Sequence, residues 1–296
     1  MSRVVIFTDD PGWHGKQLVQ AFANHQLDTH FVSLRDCKIQ IDSSGFPLVI
    51  PGFNDRLPCA AFVRGVPGGS LEEVVFYLDV LHILSLLNIP VYNDGRAIEA
   101  SVDKGMTSFL LQQNGIPTPA TWMMREHDAA VAIAEQELQA GHLLISKPLF
   151  GSQGEGIRRL EKSTDLLWLT SSRGIYYFQR FIDSLGSGYS DIRVFVINNQ
   201  AIAAMRRRGI SWLNNVARGA QCETIQISPQ MADIAVRAVQ ALSMSYAGVD
   251  LIETAENEYL VIEVNSVPAW KGLQSVTEYN IADYLVQDLI AKIPYV

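Results

Sequence analysis

The sequence predicts an α/β unit followed by two α+β units, and three observations carry that prediction. Short apolar runs alternate with helical patterns over the first third. Near the middle, a strand that ends in lysine runs straight into a glycine-rich loop. From about Ser184 the chain becomes strand-rich. Regular strand–helix alternation indicates a parallel sheet with helices packed on it, whereas closely spaced strands indicate antiparallel pairing. The expected division is residues 1–95, 96–183 and 184–296.

The elements follow in order. Arg3 to Thr8 is a strand that ends in the turn Asp9-Asp10-Pro11-Gly12, and a helix follows from about His14. Phe31 to Leu34 and Ala60 to Arg64 are further strands. Ser70-Leu71-Glu72-Glu73 has the spacing of a capping box, so a helix starts there and runs through Leu87. Asn88 to Tyr92 is a turn and a strand. Asp103 to Gln113 is helical, and Gly115-Ile116-Pro117-Thr118-Pro119 stops it. A helix over Asp128 to Ala140 precedes the strand Leu143 to Lys147. In the last third, Ile192 to Ile197, Ala201 to Arg206 and Glu223 to Ile227 read as strands. Ser228-Pro229 opens a helix, with serine as cap and proline at the first position. Gly248 to Glu253 and Glu258 to Val264 form a hairpin, and a final helix starts near Ile281.

Composition narrows the function. The 296 residues are 48% hydrophobic and 18% charged, which fits a folded globular chain. A net charge of −8 argues against a nucleic-acid partner, while leaving room for a local basic site. No stretch is apolar enough to suggest a membrane partner, and the first residues lack the form of a signal peptide. Cys37, Cys59 and Cys222 are scattered, as expected for buried thiols in a cytoplasmic protein.

Three constellations carry chemistry. Lys147 leads into Gly151-Ser152-Gln153-Gly154-Glu155-Gly156. Glycines let backbone N–H groups approach phosphate oxygens, and a lysine adds charge to the same anion. Without a Gly-Lys-Ser/Thr ending, the loop alone fits a phosphate cradle or an ordinary turn. The second constellation is Asp250 with Glu263 and Asn265, at the open end of the predicted hairpin. Glu263 and Asn265 are two apart and face one side, so with Asp250 they offer hard oxygen ligands suited to magnesium shared with phosphates. The apolar neighbours argue against a merely solvated sheet edge. The third is basic: Arg193, Arg206 and Arg218 are expected in a site, and Arg207 and Arg208 at the surface.

These constellations, in this order, resemble the ATP-grasp superfamily and within it the RimK-like ligases. The resemblance runs from about Val91 to the C-terminus. It includes Ala97 to Lys104, Gly115 to Pro119, Gln179-Arg180-Phe181-Ile182, Asp191-Ile192-Arg193, Asn215-Val216-Ala217-Arg218-Gly219 and Glu263-Val264-Asn265-Ser266. It implies a three-module ATP-grasp architecture in which two α+β units sandwich ATP. Lys104, Lys147 and the glycine-rich loop would meet the phosphates, with Asp191 nearby. Gln179 to Ile182 would line the adenine slot, and Asp250, Glu263 and Asn265 would hold Mg2+, or Mn2+ in its place. Arg193, Arg206 and Arg218 would meet the transferred phosphate, and Asn215, Arg218 and Ser266 the substrate.

The implied reaction is ADP-forming amide synthesis through an acylphosphate. The implied partners are a small-molecule carboxylate acceptor, pterin-type or peptide, and an amino acid, glutamate, and a homo-oligomer is allowed. Three positions depart from the family pattern: Arg180 where an acid is usual, Leu213 where an arginine is usual, and Ala269 where a glycine is usual. They point to a substrate other than a ribosomal tail. Trp13, Trp212 and Trp270 offer either aromatic surface for a planar substrate or core packing. The competing readings are a D-alanine or glutathione type of ligase, separated by product identity, and a non-catalytic ATP-binding module, separated by magnesium-dependent ATP turnover. A nicotinamide enzyme is disfavoured, because Asp9 to Gly15 lacks the glycine fingerprint.

Overall fold

The computed structural model describes residues 3–42, 47–151, 154–184, 188–213 and 219–294. The chain begins with β1 (Arg3–Phe7), α1 (Gly12–Asn24), β2 (Asp28–Val32), a small hairpin of β3 (Lys38–Ile39) and β4 (Leu48–Val49), β5 (Ala60–Val63), α2 (Leu71–Leu86) and β6 (Val91–Tyr92). Next come α3 (Gly95–Val102), α4 (Lys104–Gln113), β7 (Thr121–Met124), α5 (His127–Gln139), β8 (Leu144–Ser146), β9 (Arg158–Leu160) and β10 (Tyr176–Arg180). The last part holds β11 (Tyr189–Ile197), β12 (Gln200–Gly209), β13 (Gln221–Thr224), α6 (Pro229–Ala241), β14 (Tyr246–Glu253), β15 (Tyr259–Asn265), α7 (Lys271–Gln274) and α8 (Ile281–Ile290). Among the described residues, no helix is long and apolar enough to cross a membrane.

Three main sheets result. The first is parallel, in the order β2-β1-β5-β6. The second is antiparallel, β7-β10-β8-β9, and the third is antiparallel, β13-β12-β11-β14-β15. The local signals act as predicted. Ser70 and Glu73 form the capping box of α2, and the Ser228 hydroxyl accepts the Met231 N–H at the start of α6. The strands at Thr121–Met124 and Tyr176–Arg180 are too short and irregular in pattern to read from sequence.

The apolar faces assemble across the expected divisions. Ala97 of α3 and Leu111 of α4 join the core that α6 forms on one face of the five-stranded sheet. These helices were expected in the central unit, but their buried side chains pack on the C-terminal sheet. The other face of that sheet is divided along its length. Phe195, Met205 and Tyr246 meet α1, α8 and the parallel sheet in one continuous core. Toward the other end of the same strands, the residues turn polar and face a cavity.

Candidate active site

A cavity of about 590 Å3 lies between the two antiparallel sheets. Ile145, Lys147, Tyr177 and Gln179 line one wall, and Asp191, Arg193, Arg207, Asp250, Glu263 and Asn265 the other.

Two strand irregularities decide which charges reach it. In the β11–β12 hairpin, Ile197 opposes Gln200, and an unbroken ladder would place Asp191 opposite Arg206. The register shifts by one between Phe195 and Val196, so Asp191 opposes Arg207 instead. Arg207 then faces the cavity, while Arg206 turns away to pair with Glu253 at 2.8 Å. This corrects the expectation that Arg206 reaches the site and Arg207 lies at the surface. Arg208 is exposed, as expected, and pairs with Glu223. In the β14–β15 hairpin, Leu251 opposes Val261, and a shift beside Asp250 brings that residue opposite Glu263. Without it, Asp250 would oppose Ile262, and Glu263 would face the other side.

The arginine wall is tightly paired. Arg193 grips Asp250 with Nε on Oδ1 and Nη2 on Oδ2, both at 2.7 Å. Arg207 adds Nη2 to the same Oδ2 at 2.9 Å and holds Asp191 through Nε at 2.6 Å. Burial raises the carboxyl pKa of Asp250, but the two guanidiniums outweigh it and hold that pKa below the usual range. Asp191 shifts the other way: burial dominates, and Arg207 only partly offsets it. With its amide oxygen toward Arg193 at 3.1 Å, Asn265 directs its nitrogen to Glu263 Oε1 at 3.3 Å. Asp250 is therefore committed to arginines in this arrangement. Of the three expected metal ligands, Asp250 and the Asn265 oxygen both accept from arginines in this arrangement, and among the described residues the Glu263 carboxylate takes no arginine bond. Among the described residues, no group of three acids, histidines or cysteines forms a metal cluster.

The facing wall carries two lysines that have no acidic partner at bonding distance among the described residues. Lys147 Nζ donates to Gln179 Oε1 at 2.7 Å. Lys104 opens α4, whose start is fixed by the Asp103 cap on Gly105 and Met106, and reaches the carbonyls of Leu149 and Gly151. Burial pushes Lys147 down to about 8; nearby Glu263 opposes that shift, and Lys104 adds to it. Lys104 is lowered too, again chiefly by burial.

The glycine-rich loop closes this side. Gly154 has φ +76°, and a Cβ there would meet Leu213 Cδ1 at 3.0 Å, so the side chain of the unusual Leu213 packs directly on the loop. Gly151 and Gly154 line the main cavity, whereas Gly156 lines a smaller cavity beside it, under Pro148. Ser152, Gln153, Asn215 and Arg218 lie outside the described residues.

Gln179 to Ile182 all border the cavity. The Arg180 side chain leaves it, donating through Nε and Nη2 to the buried Glu137 of α5. That accounts for the departure at Arg180: the residue presents backbone to the cavity and places its charge on α5. Ser266 is buried behind the wall, its hydroxyl accepting from Ser101 at 2.6 Å, and Ser101 rather than Ser266 borders the cavity. This corrects Ser266 as a substrate contact. Trp270 is fully buried core, while Trp212 borders the cavity, edge-on to Phe181 and beneath Arg159. Sequence reasoning missed Tyr177, whose hydroxyl meets Ser108 at 3.0 Å, because its strand carried no readable pattern.

Comparison with known proteins agrees with this geometry. The model of the RimK-like ATP-grasp domain matches residues 101–289. The chain belongs to the RimK-like ATP-grasp family. It is 38% identical over 246 residues to the tetrahydromethanopterin:alpha-L-glutamate ligase of Methanocaldococcus jannaschii, covering 80% of this chain and 81% of that one. Against the ligase of the same name from Methanococcus maripaludis it is 32% identical over 300 residues, covering 97% and 98%. The ATP-grasp ligase PsnB complexed with minimal precursor superposes with a TM-score of 0.76 over 99% of both chains; at 22% identity, that likeness speaks to the fold alone. The chain thus has the three-module ATP-grasp architecture and is an ATP-dependent carboxylate–amine ligase of the RimK-like family.

Proposed function

We propose that this RimK-like ligase adds L-glutamate to a carboxylate of a reduced pterin, with ATP as phosphoryl donor. The observation that carries the reaction is that two lysines with no ion pair among the described residues, Lys104 and Lys147, share one cavity with a facing wall of fixed arginines and Glu263. Such a cavity suits a polyphosphate beside a carboxylate. The pterin and the glutamate are the substrates in the names of the two methanogen relatives.

The acceptor carboxylate attacks the γ-phosphorus, and ADP leaves. The amine then attacks the acyl carbon of the acylphosphate, and phosphate leaves. Lys104 and Lys147 neutralise phosphate oxygens from the side of the glycine-rich loop. Arg193 and Arg207, held in place by Asp250 and Asp191, present fixed positive charge where the transferred group gathers negative charge. The loop at Gly151 and Gly154, backed by Leu213, shields the acylphosphate from water. Glu263, with Asp250 and Asn265 beside it, would offer hard oxygens to magnesium or manganese, which would supply further charge to the phosphates.

The test is mass spectrometry of the products from ATP, magnesium, glutamate and either tetrahydromethanopterin or a peptide with an acidic C-terminus. A pterin product longer by one or more glutamates, with ADP and phosphate released in step, is expected. A product on the peptide alone would end the pterin reading, and pyrophosphate release would end the acylphosphate route.

A further inference from the structure

A second cationic feature lies outside the ATP-facing walls. In the order β2-β1-β5-β6 the chain leaves β1 toward one side and returns on the other. The topological switch point therefore lies between the carboxyl ends of β1 and β5, where Phe7 and Val63 are paired. Ligands of open parallel sheets bind at such a switch point. Arg64 follows β5 directly. Its Nη1 donates to Pro268 O at 3.1 Å, and its guanidinium lies 4.8 Å from the centre of the Trp270 ring. Among the described residues Arg64 forms no ion pair, although burial depresses its pKa.

Lys271 stands on the far side of the same turn. With Pro268, Ala269 and Gly272 it borders the end of the main cavity. His14 joins the two cations: its Nε2 accepts the Trp270 N–H at 3.1 Å. Burial, then Arg64 and Lys271, push His14 down to about 4, so it stays neutral and able to accept that bond. A half-buried cation without a counter-ion is costly, and an anionic ligand offsets that cost.

We propose that Arg64 and Lys271 seat a carboxylate of the acceptor substrate other than the one activated, beside the partly buried Trp13. The proposal rests on the reading of this chain as a ligase for carboxylate acceptors. The acceptor is favoured over the amino acid because Arg64 stands at the switch point of the parallel sheet, beyond the walls assigned to ATP, where the far end of a long substrate would lie. His14 is a positioning residue that holds the Trp270–Lys271 turn.

Isothermal titration in the presence of a non-hydrolysable ATP analogue tests this with two probes, tetrahydromethanopterin and glutarate, a dicarboxylate with no pterin. The wild-type protein is expected to bind both, glutarate more weakly. Arg64→Gln should weaken both by about tenfold or more, the size of a lost charge-assisted hydrogen bond, and Lys271→Gln by a smaller factor. Affinity for the ATP analogue should not change in either variant. Arg64→Lys, which keeps the charge but loses the fork, should fall between, and it serves with Lys271→Gln if Arg64→Gln fails to fold. Wild-type binding of glutarate but not of tetrahydromethanopterin would break the pterin reading and leave this subsite standing. Failure of glutarate to bind the wild type, or equal affinities across the variants, would overturn the subsite.

Discussion

On the five-stranded wall of the cavity the buried charges face opposite charges: Arg193 and Arg207 close on Asp250, and Arg207 also holds Asp191. On the facing side, among the described residues, Lys147 and Lys104 bond only to an amide oxygen and backbone carbonyls. The first wall is complete without ligand, since each guanidinium position is over-determined by two-point bonds. The second is left positive, and burial weakens its hold on its protons. An anion completes it. In the proposed function, the difference separates a scaffold that aims charge from a pair of groups that would take phosphate.

The sharpest way to break this contrast is Asp250→Ala. It leaves two half-buried or buried guanidiniums without their common partner, and urea denaturation should show a loss of about 3–5 kcal/mol. A loss below about 1 kcal/mol would mean that the wall is not held by pairing. Lys147→Ala should do the opposite. ATP turnover should fall by about 100-fold or more, while stability holds or rises, because the variant removes a buried lysine that makes no ion pair among the described residues. Unchanged turnover would remove Lys147 from the phosphate site.

Arg207→Ala should reduce kcat/KM at least about tenfold more than Arg206→Ala, since only Arg207 lies on the cavity face. Equal effects would show that the register shift in the β11–β12 hairpin does not matter. A gentler test uses pH. Phosphates favour protonated Lys147, which in the free protein loses its proton near pH 8. ATP affinity should therefore be flat below about pH 8 and weaken above it, by up to about tenfold per pH unit, and Lys147→Arg should abolish that bend. The smallest effect expected is for Arg180→Ala, whose side chain serves Glu137. ATP affinity should stay within about twofold, while thermal unfolding shows a modest loss.

By itself the sequence determined the sheet classes, the caps and most of the chemical inventory. Strand–helix alternation marked the parallel sheet, Ser70 and Ser228 marked helix starts, and Lys147 before its glycines supplied a candidate phosphate loop. These are local properties: periodicity, capping geometry and glycine's conformational freedom act within a few residues. Which side chains meet was decided by tertiary structure. One displaced residue in β11–β12 exchanged Arg206 for Arg207, and another in β14–β15 brought Glu263 to the side of Asp250. A strand alternates faces every residue, so a single bulge reverses every assignment beyond it, and no local pattern in these apolar strands marks where it falls. The remote contacts were hidden for the same reason. Arg64 reaches Pro268, and His14 reaches Trp270, only because the parallel sheet and the five-stranded sheet share one core.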